Sequence, residues 1–146
     1  MRKLFAVLAA LLALAAVMQL YFAAMGVFSS EDRDLFAIHG FNGQYIVRYL
    51  PVLLIIVGII AKVGKTLIWL CVWVIVGTFV QLVLFILAGA IFGAGPDNPD
   101  VPIGATILLG FHGLVGLTII GLAAVLARRA MMLAFPRPPK AVTPAA

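Results

Sequence analysis

The chain has two histidines, His39 and His112, and each opens the same five-residue pattern: His39-Gly40-Phe41-Asn42-Gly43 and His112-Gly113-Leu114-Val115-Gly116. Glycine at both the first and fourth position after a given histidine is, on the order of magnitude, a one-in-a-hundred coincidence, so a matched pair points to duplication. Imidazole is a transition-metal ligand and a hydrogen-bonding group. Glycines beside it remove side chains where a flat macrocycle would need room. Two such rings brought to opposite faces of one iron make a bis-histidine b-type haem site, with His39 and His112 as the ligands. A second account explains the glycines alone: Gly40, Gly43, Gly110, Gly113 and Gly116, with the Gly89-x-x-x-Gly93 pair, let helices approach closely.

Three other polar residues fall at a similar distance from basic residues that mark one membrane face. Gln19, Gln81 and His112 each lie 16 positions from Lys3, Lys65 and Arg128, and Arg48 lies 14 from Lys62. Together they form one polar layer. Arg48 has no acid within any apolar segment to pair with, which makes it a functional candidate. Its side chain either snorkels to the outer interface beside Tyr45 and Tyr49, or binds an anionic group. Such a group would be a haem propionate, a lipid phosphate, a fatty-acid carboxylate or an acid of a partner subunit. Gln19 and Gln81 read first as hydrogen-bonding glue between helices. Nothing points to an enzyme: there is no His-Glu-x-x-His, no Gly-x-Ser-x-Gly, no phosphate-binding glycine loop and no carboxylate within a span to act as a base.

The elements that carry these residues follow from composition. A chain of 146 residues that is 65% hydrophobic and 10% charged cannot hide its apolar surface inside one water-soluble domain. About 20 helical residues cross a hydrocarbon core, and four segments qualify: residues 4–28, 40–61, 66–92 and 103–127. Their apolar runs lack the alternation of a barrel, so the fold class is all-α, a four-transmembrane-helix bundle. Residues 1–135 form that domain. The start of the chain has features of a secretory signal, but the apolar run continues to Phe28, longer than a signal core needs, which favours an uncleaved first helix. Cys71 is the single cysteine and can form no disulfide within the chain. Trp69, Trp73 and Tyr21 read as interface anchors or lipid-facing aromatics.

Charge sets the expected orientation. Arg2, Lys3, Lys62, Lys65, Arg128, Arg129, Arg137 and Lys140 fall at the N-terminus, in the second loop or after the fourth span. All five acids, Glu31, Asp32, Asp34, Asp97 and Asp100, fall in the first and third loops. The positive-inside rule then places both termini in the cytoplasm. The net charge of +5 is an orientation signal that meets lipid headgroups and not nucleic acid. The tail, residues 136–146, is proline-rich and expected to be disordered.

Local signals refine the second span. Ser29 and Asp32 have capping-box spacing, which would start a helix outside the bilayer and make His39 helical. Pro51 should kink that span between its polar and aliphatic halves. Residues 93–100 are a turn-rich connector.

Helices one and three align at an offset of 62 and the histidines at 73, which describes two tandem two-helix repeats with an insertion in the third loop. In an up-down bundle the second and fourth helices stand on a diagonal of roughly 13 Å, a span that two imidazoles and one metal fill. A count of depth opposes this. His112 is 16 residues from Arg128 but His39 is 23 from Lys62, roughly 10 Å of difference along straight helices. A proline kink, or a fourth helix running on through Ala130 to Phe135, would reduce it.

The layout resembles an uncharacterised family of small bacterial four-helix membrane proteins. The resemblance is carried by Gln19-Leu20 through Gly26-Val27-Phe28, the His39 segment with Gly43, Gln81-Leu82, and His112 through Gly116 followed by Ala127-Arg128-Arg129-Ala130. It implies the fold and topology, and no activity. The paired histidines are also similar to those of b-type cytochrome four-helix proteins, without the further ligand pair of two-haem members. Given the depth count, the expected role is a non-catalytic accessory subunit of a larger membrane assembly such as a lipid importer or respiratory complex. Gln19, Arg48, Gln81, Gly89, Gly93, Gly113 and Gly116 would be its interaction residues, and lipid and other membrane subunits its partners. The alternative is the haem-carrying electron-transfer protein.

Overall fold

A run of apolar residues in lipid can satisfy its backbone only within itself, and the helix is the form that does so over a single segment. In the computed structural model, which describes residues 1–29, 35–95 and 101–136, the chain forms α1 (Arg2–Phe28), α2 (Phe36–Phe41), a π-helical segment (Asn42–Val47), α3 (Arg48–Ala61), α4 (Lys65–Phe92) and α5 (Ile103–Ala134). No strand occurs among the described residues. With α2, the π segment and α3 joined as one span, four helices are long and apolar enough to cross a membrane. The proline-rich tail from residue 137 and the first-loop acids lie outside the described residues.

Each span packs on its neighbours in sequence, and α1 closes the ring against α5, so the second and fourth spans face each other diagonally. Lys3 Nζ lies 5.6 Å from the centre of the Phe135 ring, which brings both ends of the bundle's chain to one level. At that same level a three-residue turn joins α3 to α4. It requires left-handed backbone at Lys62, φ 51°, and at Gly64, φ 96°. Val63 N–H closes the end of α3 on the Gly58 carbonyl at 3.1 Å.

The tightest packing fills the half of the bundle nearest the termini. Phe5, Leu12, Leu54, Cys71, Val74 and Leu126 are fully buried there. Gly58 allows it, because a Cβ at that position would meet Ile68 and Phe5 within 3.0 Å. Cys71 is free and buried. Trp69, Trp73 and Tyr21 point outward, as their reading as interface or lipid-facing aromatics requires.

Two boundaries and one internal segment depart from expectation. The fourth helix does not stop at residue 127. Ile119, Ala123, Leu126 and Ala130 form one buried stripe, Arg128 and Arg129 are exposed beside it, and the helix runs to Ala134, ahead of Pro136. The second helical span begins at Phe36 with Leu35 as its N-cap, so Ser29 does not start it; the Ser29 hydroxyl donates instead to the Gly26 carbonyl at 2.9 Å, finishing α1. Asp32, the other half of the expected capping box, lies outside the described residues. Around Pro51 the chain responds with the π segment Asn42–Val47. Proline offers no N–H to the Val47 carbonyl four residues back and crowds it, and a widened turn ending at Val47 absorbs the mismatch.

Candidate functional site

Away from the packed half, the four spans part around a cavity of about 420 Å³. Every polar residue of the expected layer lines it, Gln19 from α1, Arg48 from the second span, Gln81 from α4 and His112 from α5, and His39, expected at another depth, joins them. Gly113 and Gly116 contribute bare backbone to its wall.

The two imidazoles meet inside this space. Their ring centres are 6.1 Å apart, with planes at 60°. The expected mismatch in depth disappears once the fourth helix is followed to its end. His39 lies 22 residues before Ala61 and His112 lies 22 before Ala134. Arg128 was a poor marker of depth because the helix continues beyond it.

His39 is held from one side. Its Nδ1 is 3.0 Å from the Gln19 backbone oxygen, and a carbonyl only accepts, so Nδ1 carries the proton and donates. The other nitrogen, Nε2, is left with a free lone pair in the neutral ring. Phe36 packs edge-on against this imidazole at 6.3 Å. On the opposite wall Phe85 stands 5.0 Å from the His112 ring, also edge-on. His112 Nδ1 is buried and has no hydrogen-bond partner.

The two glutamines occupy matching places. Gln81 Nε2 donates to the His112 backbone oxygen at 3.1 Å, and Gln19 supplies the carbonyl that holds His39. A Cβ on Gly43 would meet Gln19 Nε2 at 2.5 Å, and one on Gly116 would meet Gln81 Nε2 at 3.4 Å. The second glycine of each histidine pattern is therefore where a glutamine from the preceding span crosses. The halves differ in finish, because Gln81 Oε1 is buried without a partner while Gln19 Oε1 accepts from Asn42.

Asn42 escaped the sequence reading. Its Nδ2 donates to the Ala15 carbonyl at 2.9 Å and to Gln19 Oε1 at 2.8 Å, clamping the π segment to α1. A buried amide inside an apolar span was the available signal. Thr78 also lines the cavity and satisfies itself by donating to the Ile75 carbonyl at 2.8 Å.

Arg48 does not run up the outside of the bundle with Tyr45 and Tyr49, which are exposed. It lines the cavity, and its Nε is buried with no hydrogen-bond partner. In an uninterrupted α-helix, residues nine apart sit about half a turn out of phase, which would put Arg48 on the far side from His39. The π segment between them turns through a smaller angle per residue and brings both to one face.

Gly89 and Gly93 lie outside this arrangement. Gly93, at φ 66°, ends α4, with its N–H on the Gly89 carbonyl at 2.9 Å and that of Ala94 on the Ala88 carbonyl at 3.3 Å. Their four-residue spacing forms a helix terminus, where only a residue without Cβ adopts the left-handed turn at no cost.

Among the described residues no group of three or more metal-ligating side chains occurs, so the donor set is the histidine pair. Two nitrogens are few for a bare transition-metal ion. They are the number an iron macrocycle needs, since it brings four of its own.

Residues 19–91 match a family of unknown function, DUF6220. The chain belongs to DUF6220. The matched stretch contains Gln19, His39, Asn42, Arg48 and Gln81, and His112 lies on the helix beyond it. No curated protein and no solved structure matches the chain. Four apolar helices and membership of DUF6220 agree with the expectation of an uncharacterised membrane-protein family.

Proposed function

We propose that this DUF6220 protein binds haem b in a membrane, that His39 and His112 are the residues that would hold its iron, and that the protein passes electrons through it. The observation that carries the reading is the 6.1 Å separation of the two rings across the bundle diagonal. Metal–imidazole bonds of about 2 Å on either side of one iron leave ring centres about 6 Å apart. The hydrogen bond from His39 Nδ1 to a backbone carbonyl is the support that ligating histidines commonly have, fixing the ring and raising the basicity of Nε2. Gly40 and Gly113 favour it too, because a Cβ at either position would meet nothing within 4 Å beside its histidine.

Bound haem would supply a reversible one-electron iron centre. The chain's own residues would orient the ligands through Gln19 and cover the rings with Phe36 and Phe85. Protein purified after haem supplementation should show a Soret band and reduced b-type bands. A colourless preparation would overturn the proposal.

The finer topology belongs to the same reading. The charge pattern favours cytoplasmic termini, and in the inner membrane of a bacterium the cavity would then lie in the outer half of the bilayer. The matched Gln19–Gly43 and Gln81–Gly116 crossings favour an origin by tandem duplication of a two-helix unit. Cys71 is buried, so an Arg2→Cys protein offers a single accessible thiol. Labelling of that thiol by an impermeant maleimide from outside intact cells would reverse the orientation.

The accessory-subunit reading is favoured by the open outer face of α5, where Gly110 and Gly121 meet no neighbour. It is compatible with haem binding, since a carrier of one electron must dock both a donor and an acceptor. Extraction in mild detergent should recover stoichiometric membrane partners. Recovery of a monodisperse monomer would remove that role.

A further inference from the structure

We infer that Arg48 is a carboxylate receptor set into the wall of the histidine cavity, so that the occupant is an amphiphile bearing an acid group. On the haem proposal the acid is a propionate; the receptor itself rests on Arg48 and its surroundings.

Three observations support this. The Arg48 guanidinium has a buried Nε with no partner, in a cavity wall otherwise made largely of apolar and glycine residues such as Ala16, Leu20 and Val47. A cation held within a membrane span is costly unless an anion or water reaches it. No Asp or Glu occurs among the described residues. All five lie at residues 31–34 or 97–100, outside the described residues. Finally, the π segment turns Arg48 inward to the face of His39, where a regular helix would carry it away. Widened turns of this kind are concentrated at functional sites.

The chemistry fits a carboxylate. Guanidinium presents paired N–H donors that match the two oxygens of a carboxylate side by side. Haem propionates and free fatty acids both offer that group on an apolar body, and the test separates them.

Purified haem-free protein in detergent is titrated with haem b, with haem b dimethyl ester and with palmitate, following the Soret absorbance for the first two and calorimetry for the third. Wild type should prefer the free acid of haem over its diester by about 10-fold to 100-fold, the range for hydrogen bonds to charged groups. Arg48→Gln should bring that ratio near one, and Arg48→Lys should retain part of it. The diester comparison needs no substitution, so it holds even if a variant folds poorly. Equal affinity of wild type for acid and diester overturns the receptor while leaving haem binding intact. Binding of palmitate that depends on Arg48, with no haem uptake, supports the receptor and overturns the haem proposal. Uptake of neither ligand overturns both.

Discussion

The backbone oxygen of Gln19 accepts a hydrogen bond from the Nδ1–H of His39 at 3.0 Å, so a residue of the first span fixes the tautomer of a second-span histidine and leaves its Nε2 unprotonated in the neutral ring. His112 has no equivalent support, since its Nδ1 is buried without a partner. The two rings are thus unequal: one is oriented by protein and the other is free to settle on whatever lies between them.

The pairing of the two rings gives the first prediction. His39→Ala and His112→Ala should each lower haem content by at least about tenfold, as loss of a ligand exceeds the 10–100-fold effects of its supporting groups. Added imidazole should restore the six-coordinate spectrum. Pyridine haemochrome assays on detergent-purified variants measure this, and full haem content in both would exclude these residues as ligands.

Gly43 should tolerate no side chain. An alanine Cβ there would stand 2.5 Å from Gln19 Nε2, and the amide cannot swing aside freely because its oxygen accepts from Asn42. Gly43→Ala should cost about 1–3 kcal/mol by overpacking. Gly121→Ala, in open space on α5, should be neutral or stabilising by up to about 1 kcal/mol. Thermal denaturation in detergent compares them, and equal melting temperatures would contradict the crossing.

Packing and binding should separate along the bundle. Leu54→Ala and Leu126→Ala remove fully buried side chains from the half near the termini and should cost about 2–5 kcal/mol each. Leu117→Ala, on an exposed position, should change stability by less than about 0.5 kcal/mol. None of the three should shift the haem spectrum at temperatures where the fold persists. A spectral shift in Leu54→Ala would mean that the two halves are coupled.

Pro51→Ala should restore the missing donor to the Val47 carbonyl and let the α-helix run through the π segment. Arg48 would then turn away from His39. Discrimination between haem and its diester should fall toward the Arg48→Gln value even though Arg48 is present. Preserved discrimination would show that the widened turn has a cause other than the proline.

The helices were readable because lipid leaves an apolar segment one way to satisfy its backbone, and the ends of α1, the second span and α4 follow from where apolar runs stop. The end of α5 was not. Arg128-Arg129 looked like a membrane boundary, whereas the stripe Ile119, Ala123, Leu126 and Ala130 kept the helix packed past them. Gly89 and Gly93 show the converse, a spacing that matches a packing motif but serves a helix terminus.

By itself the sequence determined that four apolar helices form, that two of them carry matching histidine patterns, and that Gln19 and Gln81 sit at the same distance from Lys3 and Lys65, because spacing along a helix of constant pitch converts directly into height. Only the tertiary structure decided that the imidazoles meet at 6.1 Å, that Asn42 clamps Gln19, and that Arg48 faces inward. Those facts depend on how far each helix turns about its own axis. That rotation is set by side chains packing between spans and by the extra residue of a π turn, and neither is encoded in the periodicity of a single segment.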